Sequence, residues 1–390
     1  MANQPEQALK LLEESNIRTS RRNRLLYYME KAQILDKIGA KNKSRSLLIE
    51  ADKLADNLYT TSILDKTASF FISDSAESYR GEIYERIAIH TILALSFLEE
   101  NKLSSARVEA KKINNKLYAL TMNLDPKHNN YVEDGFARYL SGIIYEAEGS
   151  IDDAIIDYKK ALKIYESPQY KEFFYGQTES QIAKALYRLA KVRRRKDLIE
   201  NLEESHPYVT SEKDPAQTMG ELIVIHQVGH IAIKYPQEFS FNIGDQFVRM
   251  SFPVIPRQNI YPPQKTGLEM DGSFFEAQNT ANLSAIARQI LEDQRFNIVA
   301  KSTARLVLKA QMVHQARKEF GELGGIAANI MTAATETADT RCWSLLPGYF
   351  FVSRQFLPEG EHQLKIFNNG QILDIKRIQI KPGQLLILRS

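Results

Sequence analysis

From Pro5 to about Leu202, apolar side chains recur at every third and fourth position, as at Leu25, Tyr28, Ala32 and Leu35. That is the period of helices that bury one face. Small residues punctuate the pattern where two helices must approach each other. Gly142 stands on one helix with Tyr145 beside it, and Ala154 stands on the next, followed by Tyr158 and Ala161. The same frame fits Ala94, Phe97, Ala106, Ala110 and Ile113, and more loosely Ala32, Leu35, Ser44, Leu48 and Ala51. At least three helical hairpins are therefore expected before residue 165. Thr60 to Tyr79 and Thr121 to Asp134 interrupt the spacing and are read as inserted loops. Gln177 to Lys191, with Ile182, Ala185, Leu186 and Leu189 on one side, is expected to be a further amphipathic helix that caps the array.

After His206-Pro207 the chain is rich in Pro, Ser, Asp and Lys as far as Thr218, and the period then changes from helical to extended. Leu222 to Ile225 reads as a buried strand. Ile231 with Ile233, and Phe239 with Phe241 and Ile243, alternate as strands do, and Gly244-Asp245 turns the chain. Val254 to Pro263 carries four prolines and is expected to be loop or edge. Helix is expected again from about Phe275 to Glu319, in two pieces broken near Phe296-Asn297. The Gly-rich and then Ala-rich stretch from Gly321 to Ala334 suits close helix packing or a mobile segment. From Tyr349 the chain reads as strands, with turns at Pro358-Glu359-Gly360, Asn369-Gly370 and Pro382-Gly383.

A small residue that lets one helix approach another, and an aromatic that fills the groove, make up the tetratricopeptide pattern. The expected fold is multidomain. Residues 1–205 form an N-terminal all-α domain of tetratricopeptide-like repeats, and 206–219 form a linker. Residues 220–390 form an α+β domain whose strands (220–255 and 349–388) flank a central helical segment (275–334). Stacked hairpins leave a grooved surface, which usually holds other proteins.

Composition narrows the function. The 390 residues are enough for two or three cores. The 51 basic side chains are nearly matched by 48 acidic ones, a net charge of +3, which is too balanced for a protein whose main work is neutralising phosphates. Nucleic acid is therefore not an expected partner. Cys342 is the single cysteine, which leaves no intrachain disulfide and no cysteine-based zinc site. No apolar run approaches the roughly 20 residues that a membrane-spanning helix needs.

Chemistry-bearing motifs are few. His226 and His230 would share a strand face, but no carboxylate nearby completes a metal site, so no metal and no cofactor is expected. Arg21-Arg22-Asn23-Arg24 and Arg193-Arg194-Arg195-Lys196 are read as solvated helix faces. Gly321-Glu322-Leu323-Gly324-Gly325 lacks the Gly-Lys-Ser/Thr ending of a phosphate loop. No nucleophile elbow, dinucleotide fingerprint or His-Glu-x-x-His is present, and no catalytic residue is assigned. One constellation stands out: Glu336, Asp339, Arg341 and Trp343 place three charges and the only tryptophan within eight residues. Trp and Arg are typical interface anchors, yet an Asp-Arg pair beside a Trp also suits a locked helix-to-strand junction, and the junction is the preferred reading. Cys342, in the same stretch, suits a buried apolar role.

The segment Thr335 to Pro347, Thr-Glu-Thr-Ala-Asp-Thr-Arg-Cys-Trp-Ser-Leu-Leu-Pro, resembles the hallmark of an uncharacterised family of bacterial tetratricopeptide-repeat-containing envelope lipoproteins. Tyr84-Glu85 with Ala94-Leu95 and Ala106 to Ala110 resembles the family's central repeat. Ala300 to Arg305 and Arg354 to Gly360 resemble parts of its second half. The resemblance implies a periplasmic or outer-membrane-associated protein, although the family's usual lipoprotein signal and acylated cysteine are not in this sequence; a cytoplasmic placement is the alternative. It also implies partners among other proteins of a cell-envelope assembly, such as outer-membrane lipoproteins or peptidoglycan-synthesis factors. A homo-oligomer is compatible with it, and it supplies no catalytic residues.

The first functional expectation is thus a non-enzymatic interaction scaffold. The alternatives are an envelope-polymer hydrolase with its site between the two halves, or a structural subunit of a larger envelope machine. A deep cleft with paired, perturbed carboxylates would favour the enzyme, and a broad groove with exposed aromatics the scaffold.

Overall fold

The computed structural model describes residues 4–64, 74–122, 133–171, 177–211, 218–243, 246–257, 266–333 and 337–390. The first half is helical: α1 (Pro5–Glu14), α2 (Asn16–Thr19), α3 (Arg24–Lys37), α4 (Lys41–Leu64), α5 (Ile83–Glu99), α6 (Leu103–Thr121), α7 (Gly135–Glu148), α8 (Ile151–Glu166), α9 (Pro168–Lys171), α10 (Thr178–Val192) and α11 (Lys196–Ser205). Strands follow: β1 (Met219–Val228), β2 (Tyr235–Ile243), β3 (Gln246–Val254), β4 (Gly267–Met270), β5 (Ser273–Glu276) and β6 (Gln278–Asn282). Then come α12 (Leu283–Ala333), β7 (Tyr349–Pro358), β8 (Gly360–Asn368), β9 (Gln371–Ile380) and β10 (Leu385–Arg389).

Contacts gather the chain into two compact units. The first comprises Met1–Glu85, Ala232–Asn259 and Ala287–Leu346; the second comprises Arg86–Ile231, Ile260–Ile286 and Pro347–Ser390. Each draws on both sides of the 206–219 segment, so the contacts do not divide the chain where its composition changes. The reason is long-range pairing: loop 342–346 is fastened to α3 and to the start of α5 in the first unit, and β1 and β7 carry α7, α8 and α10 in the second.

In the second unit the main sheet has the order β10-β1-β7-β6, with β1 parallel to β10 and antiparallel to β7. Leu222, Ile223, Val224 and Ile225 of β1 are all fully buried, which requires cover on both faces of the strand. Even positions supply one face. Leu222 and Val224 pack with Leu268, Met270, Leu364, Ile378 and Ile380 of a second sheet, ordered β5-β4-β8-β9. Odd positions supply the other, which carries the helices: Phe350 of β7, opposite Gln227, stacks on Phe136 of α7 at 4.4 Å. Tyr165 of α8 donates to the carbonyl of Thr280 at 2.6 Å and Thr178 of α10 to that of Asn279 at 3.2 Å. The turn between β8 and β9 puts Asn369 and Gly370 at φ of 50° and 77°, the left-handed pair of a tight hairpin.

In the first unit α3 and α4 form a hairpin in which Ser44 donates to the Ala32 carbonyl at 2.8 Å, a contact that only small residues permit. Among the described residues β2 and β3 pair only with each other.

Several expectations fail for identifiable reasons. Phe274 and Phe275 belong to strand β5, not to a helix beginning near 275, and β6 buries Asn279, Thr280 and Asn282 where a strand is expected to bury apolar residues. No break occurs at Phe296-Asn297, because Phe296 is simply an 81% exposed surface residue of α12. The break falls at Gly321, at φ 68° and ψ −164°. Ile231 and Ile233 lie outside any strand. Of the strands before Pro263, expected to share one domain with those after Tyr349, β1 pairs with β7 and β10, while β2 and β3 fall in the other unit. α10 is not a terminal cap, since α11 packs against it.

Candidate binding cleft

The 337–341 stretch is irregular and belongs to the first unit, and Arg341 holds it. Arg341 donates through Nε and Nη2 to both oxygens of Asp339, at 2.8 and 2.6 Å. Its Nη1 reaches Asn23 at 3.1 Å and the Glu77 carbonyl at 2.9 Å, and the guanidinium lies 5.2 Å from the centre of the Tyr79 ring. Trp343 is fully buried, so it anchors the interior rather than a surface. Glu336 lies outside the described residues.

Two buried carboxylates that no spacing in the sequence flagged hold the loop that follows. Glu85 accepts from the Trp343 amide at 2.7 Å, from the Glu82 amide at 2.8 Å and from Tyr79 at 2.5 Å. Glu30 accepts from the Ser344 amide and hydroxyl, both at 2.7 Å, and from the Leu345 amide at 3.1 Å. Burial drives the Glu30 carboxyl up to about 7; the three donors oppose the rise, and the Glu85 charge adds to it. Burial, with the nearby Glu82 charge, also raises Glu85. Burial pushes the Cys342 thiol up to about 11, which suits an inert packed residue. Lys234 pairs with Glu82; its burial works against the charge, but that carboxylate outweighs it and holds the ammonium above its ordinary range. These partners stand 258 and 314 positions from the loop in sequence, so only the fold brings them together.

Beside the 337–341 stretch opens a cleft of about 460 Å³. Its lining includes Glu77, Arg80, Glu82, Lys234, Asp339 and Arg341, with one face of α12 as a wall. Asp339 and Arg341 of the singled-out constellation therefore border a cavity while Trp343 does not. Glu85 does not line it, and Glu30 faces a separate pocket of about 300 Å³ with Leu11, Leu12, Ile34 and Leu345.

In the second unit, Gly142 of α7 and Ala154 of α8 are where the hairpin closes: a Cβ at Gly142 would run into the Tyr158 ring. Ala154, Tyr158 and Ala161 are fully buried and Tyr145 nearly so. Tyr158 also donates to Glu146 at 2.5 Å and accepts from Arg354 of β7 at 3.2 Å. Arg354 binds Glu146 at 2.6 Å and pairs with Glu221 of β1, to which Arg188 of α10 adds bonds at 3.1 and 3.2 Å. The expected packing residues thus end in a buried ionic cluster between helices and sheet. Arg193 and Arg195 pair with Asp152 and Asp197. His226 is buried between Ser353 and Ser390, at 3.2 and 2.9 Å, and burial lowers its imidazole to about 4. His230 lies beyond the end of β1, so the two histidines do not share a strand face. Among the described residues no three metal-ligating side chains converge.

No family model and no curated protein matches the chain. Among solved structures it is similar to BtubC (BKLC) from P. vanneervenii, at 16% identity over 49% of this chain and 66% of that one, with a TM-score of 0.29. It is also similar to a Podosopora anserina protein described as a kinesin light chain with nearly identical TPR-like repeats, at 14% identity over 54% and 89% of the two chains, with a TM-score of 0.33. A third is MamA AMB-1, at 16% identity over 49% and 94%, with a TM-score of 0.22. At such identities and scores the likeness carries nothing about function.

Proposed function

We propose that this chain is a non-enzymatic scaffold that holds other proteins, with its partners in a bacterial cell-envelope assembly. One observation carries the reading: α6 exposes Val108 at 49%, Tyr118 at 70% and its capping residue Met122 at 58%. At 100° per residue the three fall within an arc of about 80°. Tyr118 and Met122 stand one turn apart, with Val108 farther along the same face beyond the exposed Lys111 and Asn115, and a tyrosine beside an apolar side chain is a usual anchor for a partner. The hairpin helices α7, α8 and α10 commit side chains to the sheet, whereas Val108, Tyr118 and Met122 of α6 are exposed among the described residues.

The hydrolase reading loses support from the same structure. Glu30 and Glu85 are occupied by backbone amides of loop 342–346, Asp157, also raised by burial, meets Asn114 and Arg138, and none of the three lines the 460 Å³ cleft. The envelope placement, and partners such as outer-membrane lipoproteins or peptidoglycan-synthesis factors, rest on the resemblance of Thr335 to Pro347. Among the described residues no helix is long and apolar enough to cross a membrane.

The test is affinity capture from solubilised bacterial envelope with the wild-type chain and with a Val108→Asp, Tyr118→Ala variant, followed by reconstitution with the purified captured protein. The expected result is a direct complex that the variant loses at an unchanged melting temperature. Retention of the complex by the variant would remove the α6 stripe from the interface.

A further inference from the structure

The pocket that Glu30 faces differs in kind from the cleft beside the 337–341 stretch. Its wall is mostly apolar: Ala8, Leu11 and Leu12 come from α1, Ile17 from α2, Ile34 from α3, and Leu345 from the loop that Glu30 holds. With Gln4, Gln7 and Ser15, the α1 residues recur at intervals of three and four, so one side of that helix lies along the pocket. A volume of about 300 Å³ stands at the lower end of small-molecule sites.

The fixed polar groups of this wall accept rather than donate. Glu30 is the one ionisable side chain among the described lining residues, and it is 6% exposed. Ser344 commits its hydroxyl proton to Glu30 at 2.7 Å, and Ser15 commits its own to the Leu12 carbonyl at 2.6 Å. What either hydroxyl can still offer is a lone pair. Glu30 takes two donors on Oε1 and one on Oε2, whereas an ionised carboxylate has about four acceptor sites. Gln4 and Gln7 are exposed, and their carboxamides can turn an oxygen or an amine inward.

We infer that this pocket binds a small molecule that carries a primary ammonium group on an aliphatic chain. An ammonium presents only donors, which suits the Glu30 carboxylate and the two serine oxygens, and the chain lies against Leu11, Leu12, Ile17 and Ile34. Opposite charges attract more strongly beside an apolar wall than in water, and burial of the chain adds to the attraction. An anion would meet the charge of Glu30 instead. The inference is independent of the exposed residues of α6.

The test is calorimetric titration of the full chain at pH 8 with hexylamine, hexanol and hexanoate. At that pH the amine is protonated and Glu30, held at about 7 by burial and the Glu85 charge, is mostly ionised. Hexylamine is expected to bind at least about tenfold tighter than either control and to raise the denaturant midpoint read by Trp343 fluorescence. Hexanoate tests the opposite polarity, because the first-turn amides of α1 beside Gln4 and Gln7 would favour an anion. Glu30→Gln removes the charge and nearly keeps the shape, and should weaken hexylamine at least about tenfold. Where that variant loses its fold, Leu11→Lys decides. Leu11 is 49% exposed and lines the pocket, and a lysine there repels the ammonium or takes its place, so affinity should fall about fivefold or more at an unchanged melting temperature. No hexylamine binding at millimolar concentration, hexanol or hexanoate bound as tightly, or an affinity that Leu11→Lys leaves unchanged would overturn the inference. Capture of a partner through Tyr118 should be unaffected by Leu11→Lys, so either reading can fail without the other.

Discussion

The two units fasten their C-terminal segments to their helices with buried carboxylates, but with opposite chemistry. In the second unit Glu221 and Glu146 meet Arg354 and Arg188. Burial alone would raise Glu221, yet the two guanidiniums outweigh it and hold the carboxyl below its ordinary range. In the first unit Glu30 is satisfied by three N–H and O–H donors of Ser344 and Leu345, which do not overcome its burial. One anchor is a charge pair in a low dielectric; the other is a carboxyl near neutrality that captures a loop. A buried pair fails when one partner is removed, and a lone buried carboxyl weakens when it ionises.

The largest expected effect breaks the second anchor outright. Arg354→Leu leaves Glu146 and Glu221 buried with one guanidinium fewer and should cost roughly 3–5 kcal/mol, read as lost hydrogen-exchange protection at Leu222 to Ile225. Adding Glu146→Leu should recover part of it, because the second change removes one of the stranded charges. Protection at wild-type level in Arg354→Leu would mean that the cluster carries no stability.

The pH response should separate the units. Glu30 has a folded value of about 7 against 4.5 for the free side chain, so the folded state binds more protons between those values. Its contribution is fully present below about 4.5 and is lost as pH rises through 7, an amount of roughly 3 kcal/mol. Glu221 and His226 are both lowered, so theirs is present at neutral pH and is lost as pH falls, His226 between 6.5 and about 4. Trp343 is the only tryptophan, so its fluorescence reports the first unit alone. Denaturant midpoints followed by that fluorescence should fall from pH 5 to pH 8, while protection of β1 should not. Parallel movement of both probes would contradict the contrast, and Glu30→Gln should flatten the fluorescence trend.

The hairpins were legible because helix packing writes itself into short spacings. Gly142 and Tyr158 stand 16 positions apart and meet in one contact, and Ala154 between them is fully buried. Strands β8 to β10 were legible through their turns, where Asn369-Gly370 requires left-handed backbone. β6 was not, because it buries Asn279, Thr280 and Asn282, whose polar side chains defeat a reading that follows apolar alternation. The anchors were not either. Glu30, Glu85, Glu146 and Glu221 look like any helical or strand carboxylate, and each has at least one partner that arrives from more than 100 residues away. Arg354 stood inside a segment noted for its family resemblance, but nothing local indicated that it meets Tyr158 of the best repeat.

The smallest expected effect concerns Asp339, and it decides what the stretch before the Glu30 and Glu85 anchors contributes. Asp339 is the one member of the singled-out constellation whose loss leaves its partner well supplied: Arg341 keeps Asn23, the Glu77 carbonyl and the Tyr79 ring. The pair is partly exposed, at 15% and 23%, so solvent screens it, and Asp339→Ala should cost about 1 kcal/mol or less. Trp343 is fully buried, and Trp343→Ala removes packed volume at a cost of roughly 3–5 kcal/mol. Because that variant removes the fluorophore, both are measured by hydrogen exchange at the Ser344 and Leu345 amides. If the loop is held mainly by Glu30 and Glu85, the two substitutions should differ at least threefold in free energy. Equal and large losses would instead make the Asp339-Arg341 pair the fastening that the first unit depends on, with the buried carboxylates secondary to it.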